Sequence, residues 1–193
     1  MHPNSNLFFN EPFGFSSENL RAILKPFKSS FKEIVLKKND FLVKQGEICL
    51  YFCFIDEGVL RHTIEIDGQD KTTYLGIQNT VTVALNSFLL KQPSRKSIKA
   101  LFDCRLWVMN LDDFLELRKT NSDFQKFYNN LIEKQLCLID EYRLDLLTLS
   151  PEERYQKLLE NEPKFIHDIP LHYLSSLLGI SDRHMSRIRK NIK

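Results

Sequence analysis

The hydrophobic pattern changes period three times along the chain. In Ser16–Phe27 (SSENLRAILKPF), Leu20, Ile23, Leu24 and Phe27 recur at helical spacing behind a serine able to cap, which predicts a helix over 16–27. From Phe31 to Met109 the pattern shortens to β-type runs: FKEIVL, DFLVKQ, LYFCFID, VLRHTIEI, KTTYLGI, RKSIKALF and RLWVMN. Turn signals separate them, at Lys38-Asn39-Asp40, Gln45-Gly46-Glu47, Glu57-Gly58, Asp67-Gly68 and Gln92-Pro93-Ser94. Residues 61–71 read as a hairpin turning at Asp67-Gly68. About seven short strands at regular spacing predict a small antiparallel roll or barrel.

Helical periodicity returns at Asn110, a candidate cap for LDDFLELRKT, and continues in a long pattern over 122–149. Phe124, Tyr128, Leu131, Ile132, Leu136, Ile139, Tyr142 and Leu146 form its apolar stripe, with Glu133, Lys134, Glu141 and Arg143 around it. A helix of ~25 residues is ~37 Å long, more than one face of a small roll covers. The surplus apolar surface predicts a homodimer seam along Tyr128, Ile132, Leu136, Ile139, Tyr142 and Leu146. Ser150-Pro151-Glu152-Glu153 then restarts a helix, with a Ser cap, Pro at the first helical position and acids at the positive end of the dipole. The expected domains are a β-roll over 1–121, a long helix over 122–149 and an all-α domain over 150–193, an α+β chain.

Composition narrows the class. At 193 residues and 42% hydrophobic, with fifteen Phe, the chain can bury a core without disulfides and is not a disordered one. The formal charge is +2; residues 151–193 carry eight basic and six acidic groups, and the first 150 are balanced. A basic end on a neutral body is a weak pointer to a polyanion partner. No apolar run approaches the ~18 residues of a membrane span, and the first residues lack the pattern of a secretory signal. Cys49 and Cys53 lie in an apolar run with no matching Cys or His pair, so packed thiols are expected rather than a metal site. These features read as a soluble, cytoplasmic protein with no membrane partner.

The C-terminal segment from Ile169 carries the most specific pattern. Leu174, Leu177 and Leu178 make the apolar face of one helix, Gly179 suits a tight turn, Ile180 plugs the corner, and Ser181 caps a second helix whose Met185 and Ile188 face inward. Asp182, Arg183, Ser186, Arg187, Arg189 and Lys190 are left facing outward. This is the pattern of a helix-turn-helix, whose second helix enters the major groove of DNA.

With these residues, the chain from about residue 15 onward resembles the Crp/Fnr family of bacterial transcription regulators. The resemblance is carried by Leu36–Leu42, Gln45-Gly46-Glu47, Phe54–Arg61, Asp67-Gly68, Gln92-Pro93-Ser94, Ile98–Leu101 and Ile169–Lys190. It implies a cyclic-nucleotide-binding-type β-roll of the double-stranded β-helix (jelly-roll) kind with flanking helices, a long dimerisation helix and a C-terminal helix-turn-helix. It also implies double-stranded DNA, a second copy of the chain and RNA polymerase as partners. Carried over by position, Asp182, Arg183 and Arg187 fall where the family reads bases, and Ser181, Ser186, Arg189 and Lys190 are placed for phosphates. His184 is divided between a backbone contact and a surface role. Many members have a β-hairpin wing; the sequence stops three residues past Lys190, so wing contacts are expected to be absent.

The sensor's ligand is less legible. The family's cAMP-binding members carry a Gly-Glu pair followed by Arg-Ser or Arg-Thr. Here Arg95 and Ser97 are the candidate effector-pocket residues, but no Gly-Glu pair precedes them, which argues against cAMP. The first 48 residues contain no Cys for an iron–sulfur cluster, and His62 alone could serve a haem. No cofactor is expected, and an unidentified small-molecule effector is left open. Two other readings stay open: a cupin-type metalloenzyme, disfavoured because only His62 lies in the β region, and a regulator acting through protein contacts without DNA.

Overall fold

A computed structural model describes residues 17–161 and 167–191. The chain divides into two compact units that meet at Tyr128/Asn129, inside one continuous helix.

The first unit opens with α1 (Ser17–Leu24), whose Leu20 and Leu24 are buried. Helical geometry then tightens into a 3-10 turn over Lys25–Ser30. The expected single helix to Phe27 is thus two elements. Pro26 accounts for the break, since it lacks an N–H and disfavours the α conformation in the residue before it. The expected cap at Ser16 lies outside the described residues. Eight strands follow: β1 (Lys32–Leu36), β2 (Phe41–Val43), β3 (Tyr51–Glu57), β4 (Leu60–Ile66), β5 (Gln69–Gly76), β6 (Val81–Thr82), β7 (Ser97–Ala100) and β8 (Cys104–Asn110). They form two four-stranded antiparallel sheets, ordered β1-β8-β3-β6 and β2-β7-β4-β5. The expected roll is present, with two elements beyond those expected, the two-residue strand β6 and a short helix α2 (Leu85–Leu90).

Strand β3 is buried on both faces, from Phe52 to Asp56. Alternation sends Cys53 and Ile55 one way and Phe52 and Phe54 the other. Phe52 meets Phe88 of α2, Phe114 of α3 (Leu111–Thr120) and Tyr128 of α4 (Ser122–Thr148), at ring separations of 6.5, 5.1 and 6.5 Å. Phe124 joins Phe114 and Phe27 at 5.8 and 5.3 Å, mostly edge-on as aromatic quadrupoles prefer. Helices therefore cover one side of this sheet with an aromatic layer. The cap of α3 is Asn110, whose Oδ1 accepts the Asp113 N–H at 2.9 Å.

One carboxylate is buried among the described residues. Asp56, 4% exposed, accepts from Arg105 Nε at 2.7 Å and pairs with Arg21 Nε at 3.0 Å, so α1 is tied to β3 and β8. Arg21 and Lys28 also stand over the Trp107 ring at 5.6 and 4.9 Å. Cys49, Cys53 and Cys104 are buried thiols, and burial pushes the Cys53 thiol well above its ordinary range. Cys137 is exposed.

The second unit contains the rest of α4, α5 (Pro151–Asn161), α6 (Leu171–Leu178) and α7 (Asp182–Asn191). Tyr155, Ile169, Leu174, Leu178, Met185 and Ile188 are its buried core. Lys157 Nζ donates to Asp145 Oδ2 at 2.6 Å, joining α5 to the end of α4. Two positions of α4 depart from expectation. Tyr128 packs into the aromatic layer of the first unit rather than along a seam. Lys134, expected on the polar surround, is buried, which lowers the basicity of its ammonium.

Two turn glycines provide a graded test. Gly46 (φ +90°) and Gly58 (φ +96°) both adopt backbone that side chains resist. A Cβ at Gly46 meets nothing, whereas one at Gly58 would stand 2.6 Å from both the Asp103 carbonyl oxygen and Cys104 Sγ. Gly46→Ala is expected to cost about 1–2 kcal/mol for conformation alone, and Gly58→Ala a further ~1–3 kcal/mol for overpacking. Urea unfolding midpoints check the order; equal losses would contradict it.

Candidate nucleic-acid interface

The α6–α7 pair is set by its turn. Gly179 takes φ +70°, ψ +31°, and the Ile180 N–H returns to the Ser175 carbonyl at 3.0 Å, a left-handed helix end that glycine adopts without strain. Ser181 caps α7 by accepting the His184 N–H on its Oγ at 3.2 Å. The Ser175 hydroxyl donates to the Asp182 carboxylate, so the two helices are also bonded side chain to side chain. Ser175 itself is buried.

Opposite Met185 and Ile188, α7 exposes Asp182, Arg183, Arg187 and Lys190, while Ser186 and Arg189 are half-buried and Ser181 is exposed at the cap. Arg183 and Arg187 lie four residues apart, hence one turn apart on a single face. Two expected contact residues are engaged within the domain. Asp182 is held by Ser175, and Arg189 Nε donates to the Tyr155 hydroxyl at 3.1 Å. His184 Nε2 lies 2.8 Å from Glu152 Oε1. That bond and the charge of Arg187 hold the Glu152 carboxyl below its usual range. The role of His184 in joining α7 to α5 was not legible in the sequence, because its partner lies thirty-two positions away.

The start of the domain is a reciprocal cap. The Ser150 N–H donates to Glu153 Oε2 at 2.8 Å, and the Glu153 N–H donates to Ser150 Oγ at 3.2 Å. Hydrogen bonding from the Ser150 backbone N–H, and then from its hydroxyl, holds the Glu153 carboxyl below its usual pKa.

In the roll, the expected effector residues diverge. Arg95 is exposed at a bend, and Ser97 Oγ accepts the Gln45 N–H at 2.9 Å. The polar side chain that does enter the interior is His62, which the sequence singled out only as a possible haem ligand. His62, on β4, reaches Thr82 Oγ1, on β6 of the opposite sheet, at 2.6 Å with Nε2. Burial first, and then the positive charge of Lys96, lower its basicity well below that of a free imidazole. Among the described residues no group of three or more metal-ligating side chains comes together, and no helix is long and apolar enough to cross a membrane.

Residues 33–121 match the family model for the cyclic nucleotide-binding domain. No curated protein matches the sequence. Solved structures share the fold. A CooA variant from Carboxydothermus hydrogenoformans has a TM-score of 0.71 at 13% identity, over 90% of this chain and 83% of that one. The catabolite activator protein of Thermus thermophilus has a TM-score of 0.56 at 23% identity, over 97% and 86%. A transcriptional regulator from Eubacterium rectale, described as of the Crp/Fnr family, has a TM-score of 0.65 at 17% identity, over 88% and 82%. The expected roll is thus matched by the family model of the cyclic nucleotide-binding domain, and the fold is shared with solved Crp/Fnr-type regulators.

The cap makes the α-helical unit acid-sensitive in a defined direction. A carboxyl whose pKa is depressed by folding contributes stability that is present above its unfolded pKa and is lost as pH falls through the folded one. Glu153→Gln is therefore expected to lower the thermal midpoint at pH 7, with the gap to wild type closing as pH falls below about 4. Melting followed by circular dichroism checks this; a gap independent of pH would refute it.

Proposed function

We propose that this chain, whose residues 33–121 form a cyclic-nucleotide-binding-type domain, acts as a homodimeric, sequence-specific DNA-binding transcription regulator. The observation that carries the proposal is the pair Arg183 and Arg187, both exposed on one face of a helix whose other face is buried by Met185 and Ile188. Each guanidinium can donate two parallel hydrogen bonds to guanine O6 and N7 in the major groove. Ser181, Ser186 and Lys190 flank them as phosphate contacts, which fix register without reading sequence. Asp182 acts on the reading face by anchoring the start of α7 through Ser175, and Arg189 by fixing the helix to Tyr155.

Dimerisation has its own support. Leu136, Ile139, Tyr142 and Leu146 are 62%, 56%, 41% and 46% exposed and follow one another at intervals of three and four along α4. So large an apolar stripe on a single helix is covered, in a soluble protein, by another surface. A second copy supplies the same stripe, and Ile132, half-buried, sits at its N-terminal edge. Two recognition helices then address half-sites ~34–36 Å apart on a near-palindromic operator. The roll senses an effector, and the regulator works in the cytoplasm with RNA polymerase as its partner. The reading without DNA contact is weakened by the same two open arginines.

Selection of genomic fragments by the purified protein tests the proposal. Wild type is expected to recover a two-fold-symmetric site, and Arg187→Ala to lose about 1–3 kcal/mol of discrimination at one base pair of each half-site. Binding by wild type that is only salt-sensitive and indifferent to sequence would overturn it. Ile139→Glu is expected to convert the dimer to a monomer in sedimentation and to weaken operator binding; a dimer unchanged by this substitution would place the seam elsewhere.

A further inference from the structure

A cavity of the first unit lies away from the roll interior, on the outer side of α3. Asp113, Glu116, Leu117 and Thr120 follow one another on α3 at helical spacing and therefore share one face. Opposite them are Ser29 and Ser30, which end the 3-10 turn, and Phe31 and Lys32, which lead into β1. The space between these two walls is about 480 Å³, within the range of small-molecule sites. Both walls hang from β8. Lys32 is the cross-strand neighbour of Val108, and Asn110, the last residue of β8, caps α3. Phe31 stands 6.4 Å from the Trp107 ring of the same strand, and Phe114 fixes the other side of α3 in the core. The cavity is thus formed by the fold before anything enters it.

The two walls differ in chemistry. The α3 wall offers acceptors: the carboxylates of Asp113 and Glu116, and the Thr120 hydroxyl, whose own proton goes to the Glu116 carbonyl at 2.8 Å and leaves its lone pairs for a donor. Asn110 Nδ2 takes one oxygen of Asp113 at 2.7 Å, and the Glu116 carboxylate has no partner among the described residues. The facing wall offers donors, the Lys32 ammonium and the hydroxyls of Ser29 and Ser30. Opposite charges line one space, yet among the described residues no ion pair joins Lys32 to Asp113 or Glu116. Half-buried Phe31 and Leu117 add apolar surface between them. We propose that this cavity binds a free apolar amino acid as its zwitterion. The ammonium is held by Asp113, Glu116 and the Thr120 oxygen, the carboxylate by Lys32 and the two serines, and the side chain by Phe31 and Leu117. A ligand with one charge satisfies one wall and only strips water from the other. The site draws on no residue of the roll interior or of α7, so it stands whether or not the chain binds DNA.

The test is direct binding to the full chain. L-leucine is titrated by calorimetry beside isoamylamine and isocaproate, which keep its side chain and lack the carboxylate and the ammonium respectively. Trp107, the single tryptophan, reports occupancy, because Phe31 of the cavity wall packs beside it. L-leucine is expected to bind and to shift the Trp107 emission, and each analogue to bind at least about tenfold more weakly. Lys32→Met and Glu116→Gln each remove one charge at an exposed position, which leaves folding intact by circular dichroism. Each is expected to weaken leucine binding about tenfold. Lys119→Met, on α3 but outside the cavity, is expected to change nothing. Three outcomes would overturn the assignment: no binding of leucine up to about 10 mM, an analogue that binds as tightly as leucine, or wild-type affinity in both Lys32→Met and Glu116→Gln.

Discussion

Strand β3 has no side facing water, and the first unit is organised by that constraint. Cys53 and Ile55 need a roll interior, and Phe52 and Phe54 need a cover on the other side. The roll supplies the first by folding β2-β7-β4-β5 opposite β1-β8-β3-β6. The second comes from α1, α2, α3 and the first two turns of α4, which contribute Phe88, Phe114, Phe124 and Tyr128. Aromatic side chains suit this role because each buries a large area for little rotamer entropy. Phe52, Phe54, Phe88, Phe114 and Phe124 thus serve one doubly buried strand and the helices that cover it. The long helix serves the same need at its start, where Phe124, Phe127 and Tyr128 are buried, and its later residues carry an exposed apolar stripe.

Much of this was legible because it is local. Helical period, turn dipeptides and caps are read within a few residues, and the Asn110 cap, the Asp67-Gly68 hairpin and the Ser150–Glu153 box all formed where their residue types placed them. The Gly179 turn and the buried Met185 and Ile188 are legible for the same reason. Strand β6 was not, since two residues carry no period and its pairing with β3 alone defines it. Nor was the fate of Tyr128, because periodicity shows that a helix has an apolar side and not what meets it.

The candidate sites show the same division. Which residues of α7 face outward follows from its period; which of them are free does not. Asp182 and Arg189 are bonded to Ser175 and Tyr155, partners on other helices. In the roll, the sequence drew attention to Arg95 and Ser97 by likeness to a family motif, whereas the polar side chain that bridges the two sheets is His62. Its setting depends on the antiparallel register of β4 with β7, which aligns His62 with Ile98 across thirty-six positions of chain. A motif search has no access to that register.

The distribution of compensated charge joins the two sites. Where this chain brings charge inside or places it at a helix end, it provides the partner itself: Arg21 and Arg105 for Asp56, Lys157 for Asp145, the Ser150 cap for Glu153, His184 for Glu152. Net charge near zero is the sum of such pairings and says little about binding. Two places break the habit. Lys96 is half-buried without a carboxylate, and Arg183 and Arg187 extend together from a helix anchored on its other side. Arg187 lies in the field of Glu152, and the hydrogen bond of that carboxylate goes to His184 at 2.8 Å. Two guanidinium groups on one exposed helix face suit the phosphate-lined groove proposed as the partner of α7.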